Sequence, residues 1–223
     1  MINQENYTRI AGELAAKKVQ LIAVSKTRPA GDIRTLYDLG HRDFGENYVQ
    51  ELADKQGQLP GDIRWHFIGH LQSNKVKYIA PFIHLIQSVD SLKLLKEINK
   101  QAVKHDREIA CLLQVHIAEE ETKFGFDERE LETLMASDRS ELAALEHIRI
   151  AGLMGMASLS ADENKIKSEF KKLKSLFDRF KELREANLQF TILSMGMSSD
   201  VDMAVREGSN MVRIGSFIFG ERK

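Results

Sequence analysis

The chain has 223 residues, a length that suits one large domain better than two small ones. Hydrophobic residues make up 43% and charged residues 29%, close to globular averages, which argues against a disordered or fibrous chain. Thirty-two basic and thirty-three acidic residues give a formal charge of -1, so no overall field draws in nucleic acid or an anionic membrane; the single Cys excludes an internal disulfide or a Cys-built zinc site and fits a reducing compartment.

The first seventeen residues open with polar side chains and lack the apolar core of a signal peptide. Tyr7, Ile10, Ala11 and Leu14 fall at helical spacing and predict an amphipathic N-terminal helix. No run approaches the ~18 apolar residues of a membrane span, so the expected location is the cytoplasm. Short apolar runs then recur, each followed by a segment of helical period. The predicted strands are Gln20–Ser25, Asp43–Gly45, Trp65–Gly69, Leu85–Val89, Cys111–Ile117, Ile148–Met154, Phe190–Ser194 and Met211–Gly215. Several are continuously apolar, as parallel strands covered on both sides are. Helical patterns lie between them, such as Ser91–Lys104 and Asn164–Ala186; the second carries a buried stripe of Phe170, Leu173, Phe177 and Phe180 beneath a solvated Lys/Glu face. Eight strand–helix units in 223 residues leave about 28 residues each, which fits a lean (β/α)8 (TIM) barrel, predicted as a single α/β domain over 1–223. A doubly wound open sheet stays possible, because period alone does not show closure.

In either architecture ligands bind at the carboxyl ends of the strands. Lys26 follows the first strand, Glu46 and Asn47 the second, and His70 the third; the seventh runs into Met195–Asp200, and the last carries Arg213 and ends in Gly215-Ser216. Lys26 reads as a lysine emerging into solvent or as an amine able to form a Schiff base. Ser198 to Asp202 read as the start of a short helix reaching about Glu207, with Ser199 and Asp202 spaced as a capping box. This turn and Gly215-Ser216 are either ordinary caps or a phosphate cradle of the kind barrels build after strands seven and eight. Arg213, inside an apolar strand, is either ion-paired or facing a polar cavity. His66 and His70 do not share a face as a helical pair would, and Cys111 reads as core, so no metal site is expected. There is no Walker motif, G-x-G-x-x-G, H-E-x-x-H or G-x-S-x-G.

Together the stretches AVSKT (23–27), FGENYVQE (44–51), WHFIGHLQSNK (65–75), LSMGMSSD (193–200) and VRIGSFIFG (212–220) resemble the pyridoxal-phosphate homeostasis protein family, related to the N-terminal barrel of bacterial alanine racemase. ETKFGF (121–126) is family-like too, with no role assigned. The resemblance implies that Lys26 holds pyridoxal 5'-phosphate (PLP) as a Schiff base, that the Ser198 region and Gly215-Ser216 hold its phosphate, and that Arg213 faces the pyridine nitrogen. Asn47, His66 and Ser194 complete the expected cofactor-binding set. Ser216 stands where many members have Thr, which keeps the hydroxyl. An arginine at the ring nitrogen makes a weak electron sink, which disfavours transamination and decarboxylation but not racemisation. The opposite base of two-domain racemases comes from a second domain for which this chain has no room. The expectation is therefore a monomeric carrier serving vitamin B6 homeostasis, without catalytic residues, passing PLP to apo-enzymes. The alternatives are a single-domain amino-acid racemase and a cofactor-free Schiff-base aldolase.

Overall fold

The computed structural model describes residues 2–118, 124–137, 139–183 and 187–220. Its first half runs α1 (Gln4–Ala16), β1 (Gln20–Val24), α2 (Ala30–Asp38), β2 (Asp43–Glu46), α3 (Val49–Gln56), β3 (Arg64–Phe67), α4 (Val76–Ile79), β4 (Leu85–Val89) and α5 (Leu92–Lys104). The second runs β5 (Ile109–Val115), α6 (Glu128–Ala136), α7 (Arg139–Ala143), β6 (Ile148–Gly155), α8 (Glu163–Phe180), β7 (Leu188–Ser194), α9 (Val201–Arg206), β8 (Met211–Ile214) and α10 (Ser216–Phe219). All eight strands are parallel and close into a barrel. The closing pair aligns Gln20 with Met211 and Ile22 with Arg213, so the open-sheet alternative falls and the fold is a TIM barrel.

The continuous apolar runs follow from two cores on the two faces of each strand. Leu21 and Ala23 face the helices, where Phe44, Phe170 and Leu173 pack. Ile22 points into the barrel with Leu85, Leu112, Met154 and Met211. Helix α1 buries Tyr7, Ile10 and Leu14, and Asn3 caps it by accepting from Asn6 N at 2.9 Å. Its main chain also reaches the end of the barrel, with Asn3 N donating to Ile218 O at 2.9 Å. No helix among the described residues is long and apolar enough to cross a membrane.

The predicted strands at Ser25, Gly69 and Gly215 run one or two residues past the observed ends. There the chain leaves the ladder and begins the loops that carry the polar residues. Helix α8 buries the predicted stripe but ends at Phe180; of the predicted helix to Ala186, residues 184–186 lie outside those described, as do 121–123 of ETKFGF. The capping box at Ser199 is not formed. Helix α9 starts at Val201, and the flanking Asp200 makes no cap; its Oδ1 accepts instead from Met197 N at 2.5 Å, across a turn that Asp200 N closes on Met197 O at 3.2 Å. Between β6 and β7 the register shifts at Gly152, where φ is +148° and a Cβ would lie 1.8 Å from Ile192 O, so only glycine fits.

Candidate functional site

At the carboxyl end of the barrel a cavity of about 510 Å³ opens between the first and last strands. Val24 and Lys26 enter it from β1, Asn47 and Ile68 from the turns after β2 and β3, and Met156 from beyond β6. Met197, Ser198 and Ser199 form the wall before α9; Arg213, Gly215 and Ser216 form the wall from β8 to α10. The amine near one end of the chain and the small-residue turns near the other thus share one cavity. This follows from closure, since β1 and β8 are neighbours only in a closed sheet. A larger depression of about 610 Å³ lies between α1 and α9, but its walls mix Arg9, Lys17 and Arg206 with Glu13 and Asp202, and neither Lys26 nor Arg213 reaches it.

Arg213 is 4% exposed and has no carboxylate within ion-pair distance among the described residues. Of the two readings open for it, the structural ion pair falls. Its guanidinium donates to Ser194 Oγ at 2.6 Å and to Gly155 O at 3.0 Å, and the rest borders the cavity. Burial lowers its pKa to about 10, against a small raising effect of Asp200, so the group stays charged at neutral pH. A buried cation with two neutral acceptors has donors left for a ligand.

Ser194 and His66 lie beneath this wall, inside the barrel, rather than on it. Ser194 Oγ donates to Gln87 Oε1 at 2.7 Å. Gln87 Nε2 donates onward to His66 Nδ1 at 3.1 Å, and His66 Nε2 meets Asp43 Oδ1 at 3.1 Å. Arg64 closes the chain on Asp43 with bonds of 2.8 and 2.6 Å. The donor sequence requires a neutral His66 with its proton on Nε2. Burial pushes the imidazole pKa down more than Asp43 raises it, which agrees. Burial alone would raise the Asp43 carboxyl, but bonds from Arg64 and His66 hold it well below the usual range. A polar chain thus crosses the barrel interior and ends on Arg213.

Asn47 borders the cavity, and its Oδ1 is buried without a hydrogen-bond partner among the described residues, an acceptor that a ligand donor would satisfy. Gly69 sits against it so closely that a Cβ there would lie 2.3 Å from Asn47 O. Helix α10 begins at Ser216; Ile218 N and Phe219 N donate to Gly215 O at 3.0 and 2.9 Å, which leaves the amides of Ser216 and Phe217 without an acceptor in the helix. Asp200 turns its carboxylate onto Met197 N, within its own loop. His70 pairs with Asp90 at 3.2 Å and stacks on Phe124, and no cluster of metal ligands occurs among the described residues. Cys111 is buried with its thiol pKa pushed up, as a core residue should be.

Several members of this site carry no local sequence signal. Gln87 sits in an apolar strand, and only its period-two spacing from Leu85 puts it inward. Ile68, Met156 and Met197 read as ordinary apolar residues.

A lysine after the first strand of a parallel barrel, sharing one cavity with a buried arginine from the eighth, defines a barrel of the alanine racemase N-terminal type. The family model "Alanine racemase, N-terminal domain" matches residues 3–223. The chain is 39% identical to the pyridoxal phosphate homeostasis protein of Aquifex aeolicus, over 95% of this chain and 90% of that protein. It superimposes on PipY of Synechococcus elongatus, a structure solved with PLP bound, with a TM-score of 0.85 at 35% identity, covering 97% of this chain and 99% of PipY. Alanine racemase of Clostridium difficile shares the fold at 17% identity and a TM-score of 0.74, with 57% of that chain covered. The chain belongs to the pyridoxal phosphate homeostasis proteins within the alanine racemase N-terminal domain family.

Proposed function

We propose that this protein binds PLP in the cavity between β1 and β8, attached through Lys26, and serves intracellular vitamin B6 homeostasis as a carrier rather than an enzyme. The observation that carries the reading is the meeting of Lys26 and Arg213 in one cavity with two small-residue turns. PipY, 35% identical across nearly the whole chain, was solved with PLP bound, and relatives of 34–39% identity are named for PLP homeostasis.

When bound, PLP supplies a reactive aldehyde and an electron-withdrawing ring. In this chain Lys26 supplies the amine. Arg213 donates to the ring nitrogen; its guanidinium keeps its proton, so that nitrogen stays unprotonated. Ser198, Gly215 and Ser216 hold the phosphate with hydroxyls and N–H groups, and Asn47 lines the pocket wall. Ser194 and His66 act from below, by orienting Arg213. The proposal extends to a single cytoplasmic domain that works as a monomer and delivers PLP to apo-enzymes.

Borohydride reduction of the PLP-loaded protein, followed by peptide mass spectrometry, tests the attachment. The expected result is one modified residue, Lys26, and loss of both the visible absorption and the modification in Lys26→Ala with the fold intact. Modification elsewhere, or an unchanged spectrum in that variant, refutes it. Alanine incubated with the protein in heavy water is expected to exchange its α-hydrogen no faster than with free PLP; faster exchange would make the protein a racemase.

A further inference from the structure

We propose that Glu46, Glu51 and Lys55 are positioning residues that clamp the main chain on both sides of Lys26 and so aim its amine at the cavity. The inference rests on the reading of Lys26 as the PLP attachment point.

Lys55, on α3, is 5% exposed, and its three ammonium hydrogens are all used. They go to Ser25 O at 2.8 Å, Glu46 Oε1 at 2.7 Å and Glu51 Oε1 at 2.6 Å. The two carboxylates then grip the residues flanking Lys26. Glu46 Oε1 accepts from Ser25 Oγ at 2.7 Å, and Glu51 Oε1 accepts from Thr27 N at 2.6 Å. Three atoms of the neighbouring residues, the carbonyl and hydroxyl of Ser25 and the amide of Thr27, are thereby tied to one ammonium-centred cluster. Thr27 also has φ of +64°, a left-handed conformation that β-branched residues avoid. Its N–H bond to Glu51 helps to hold that turn.

Stability alone does not account for this cluster. Two carboxylates share one ammonium, Glu46 is fully buried, and its Oε2 has no hydrogen-bond partner among the described residues. Burial raises the Glu46 pKa despite Lys55, so the site bears a desolvation cost. Buried ion clusters are often matched or bettered in stability by apolar packing. Among the described residues, every hydrogen bond of the cluster outside itself ends on residue 25 or 27. A fixed Cα leaves only the side-chain torsions of Lys26 to be ordered when its amine meets an aldehyde, and a misplacement of about 1 Å at such a centre costs on the order of a hundredfold.

The test separates covalent attachment from occupancy of the cavity. Glu51 is partly exposed, so Glu51→Ala removes the Thr27 acceptor with little damage to the core, whereas the amide oxygen in Glu51→Gln still accepts that N–H. Each protein is titrated with PLP and reduced with borohydride to measure covalent loading. Calorimetry with pyridoxamine phosphate, an amine that cannot condense with lysine, measures binding to the same cavity. Glu51→Ala is expected to lower covalent loading about tenfold or more, to leave pyridoxamine phosphate affinity within about twofold, and to be largely rescued by Glu51→Gln. Lys55→Met, where it folds, should reproduce the alanine variant. Unchanged loading in Glu51→Ala, or a parallel loss of both ligands, overturns the clamp while leaving the PLP reading intact. Wild-type protein that binds pyridoxamine phosphate but never loads PLP at Lys26 overturns the underlying reading and the clamp with it.

Discussion

Arg213→Met should make the cofactor-free protein more stable while weakening its hold on PLP. Burial lowers the guanidinium pKa by two to three factors of ten, to about 10. At about 1.4 kcal/mol per factor of ten, that is a penalty of about 3 kcal/mol on the charged form in the folded state. The folded value lies below the unfolded one, so the penalty is fully present at neutral pH and is relieved only as the pH rises above about 10. Methionine removes the charge and fills most of the volume. Ser194 Oγ and Gly155 O each lose a donor, at about 1 kcal/mol apiece. The balance is a gain of about 1 kcal/mol, or a rise in Tm of about 2–4 °C for a domain of this size. The bound state loses a charged hydrogen bond of about 1.5–3 kcal/mol, which weakens PLP about tenfold to a hundredfold. Thermal unfolding with and without PLP, alongside a PLP titration, reads both effects. A cofactor-free variant that loses several degrees, or one that binds PLP as tightly as wild type, refutes the reasoning.

Two further outcomes follow from the site. Gly69→Ala puts a Cβ 2.3 Å from Asn47 O and should cost about 1–3 kcal/mol in urea unfolding while lowering PLP affinity through the displaced Asn47 wall; a neutral result in both would show that the turn yields freely. Asp43 is an acid held below its unfolded value near ~3.9, so the stability it contributes is present above that pH and is lost as the pH falls below it. Asp43→Asn should therefore lower stability at neutral pH and flatten its decline below about pH 4, whereas a variant curve parallel to wild type would remove Asp43 from the acid transition.

The strands were most legible in the sequence where both faces are buried along the whole strand, as in β4 and β5, and the apolar run is correspondingly long. The ligand-facing residues were legible for a related reason. Lys26, Asn47, Ser198 and Ser216 stand where the apolar run stops, and in a parallel barrel those stops share one end. Depth was not legible. Period two puts His66 and Ile68 on the same inward face but does not say that Ile68 meets the cavity while His66 lies a layer lower, bonded to Gln87. Nor does local spacing reveal that Ser194 touches Arg213 from beneath. The misread cap at Ser199 has a similar cause, since the competing acceptor for the Met197 N–H is fixed by a turn that exists only in three dimensions. The Glu46–Lys55–Glu51 cluster joins β2 to α3, and only Glu51 and Lys55 have the helical spacing that would suggest a pair.

Closure of the sheet through β1 and β8 also has a temporal consequence. A ribosome makes Lys26 nearly two hundred residues before Arg213 and Ser216, so a growing chain exposes the amine long before any cradle exists to receive an anion. A half-made molecule therefore has no means of sequestering a reactive aldehyde. The last strand to be synthesised completes the cylinder and the ligand pocket in a single event. A ligand bridging the two ends would then act as a latch, slowing the separation of the first and last strands.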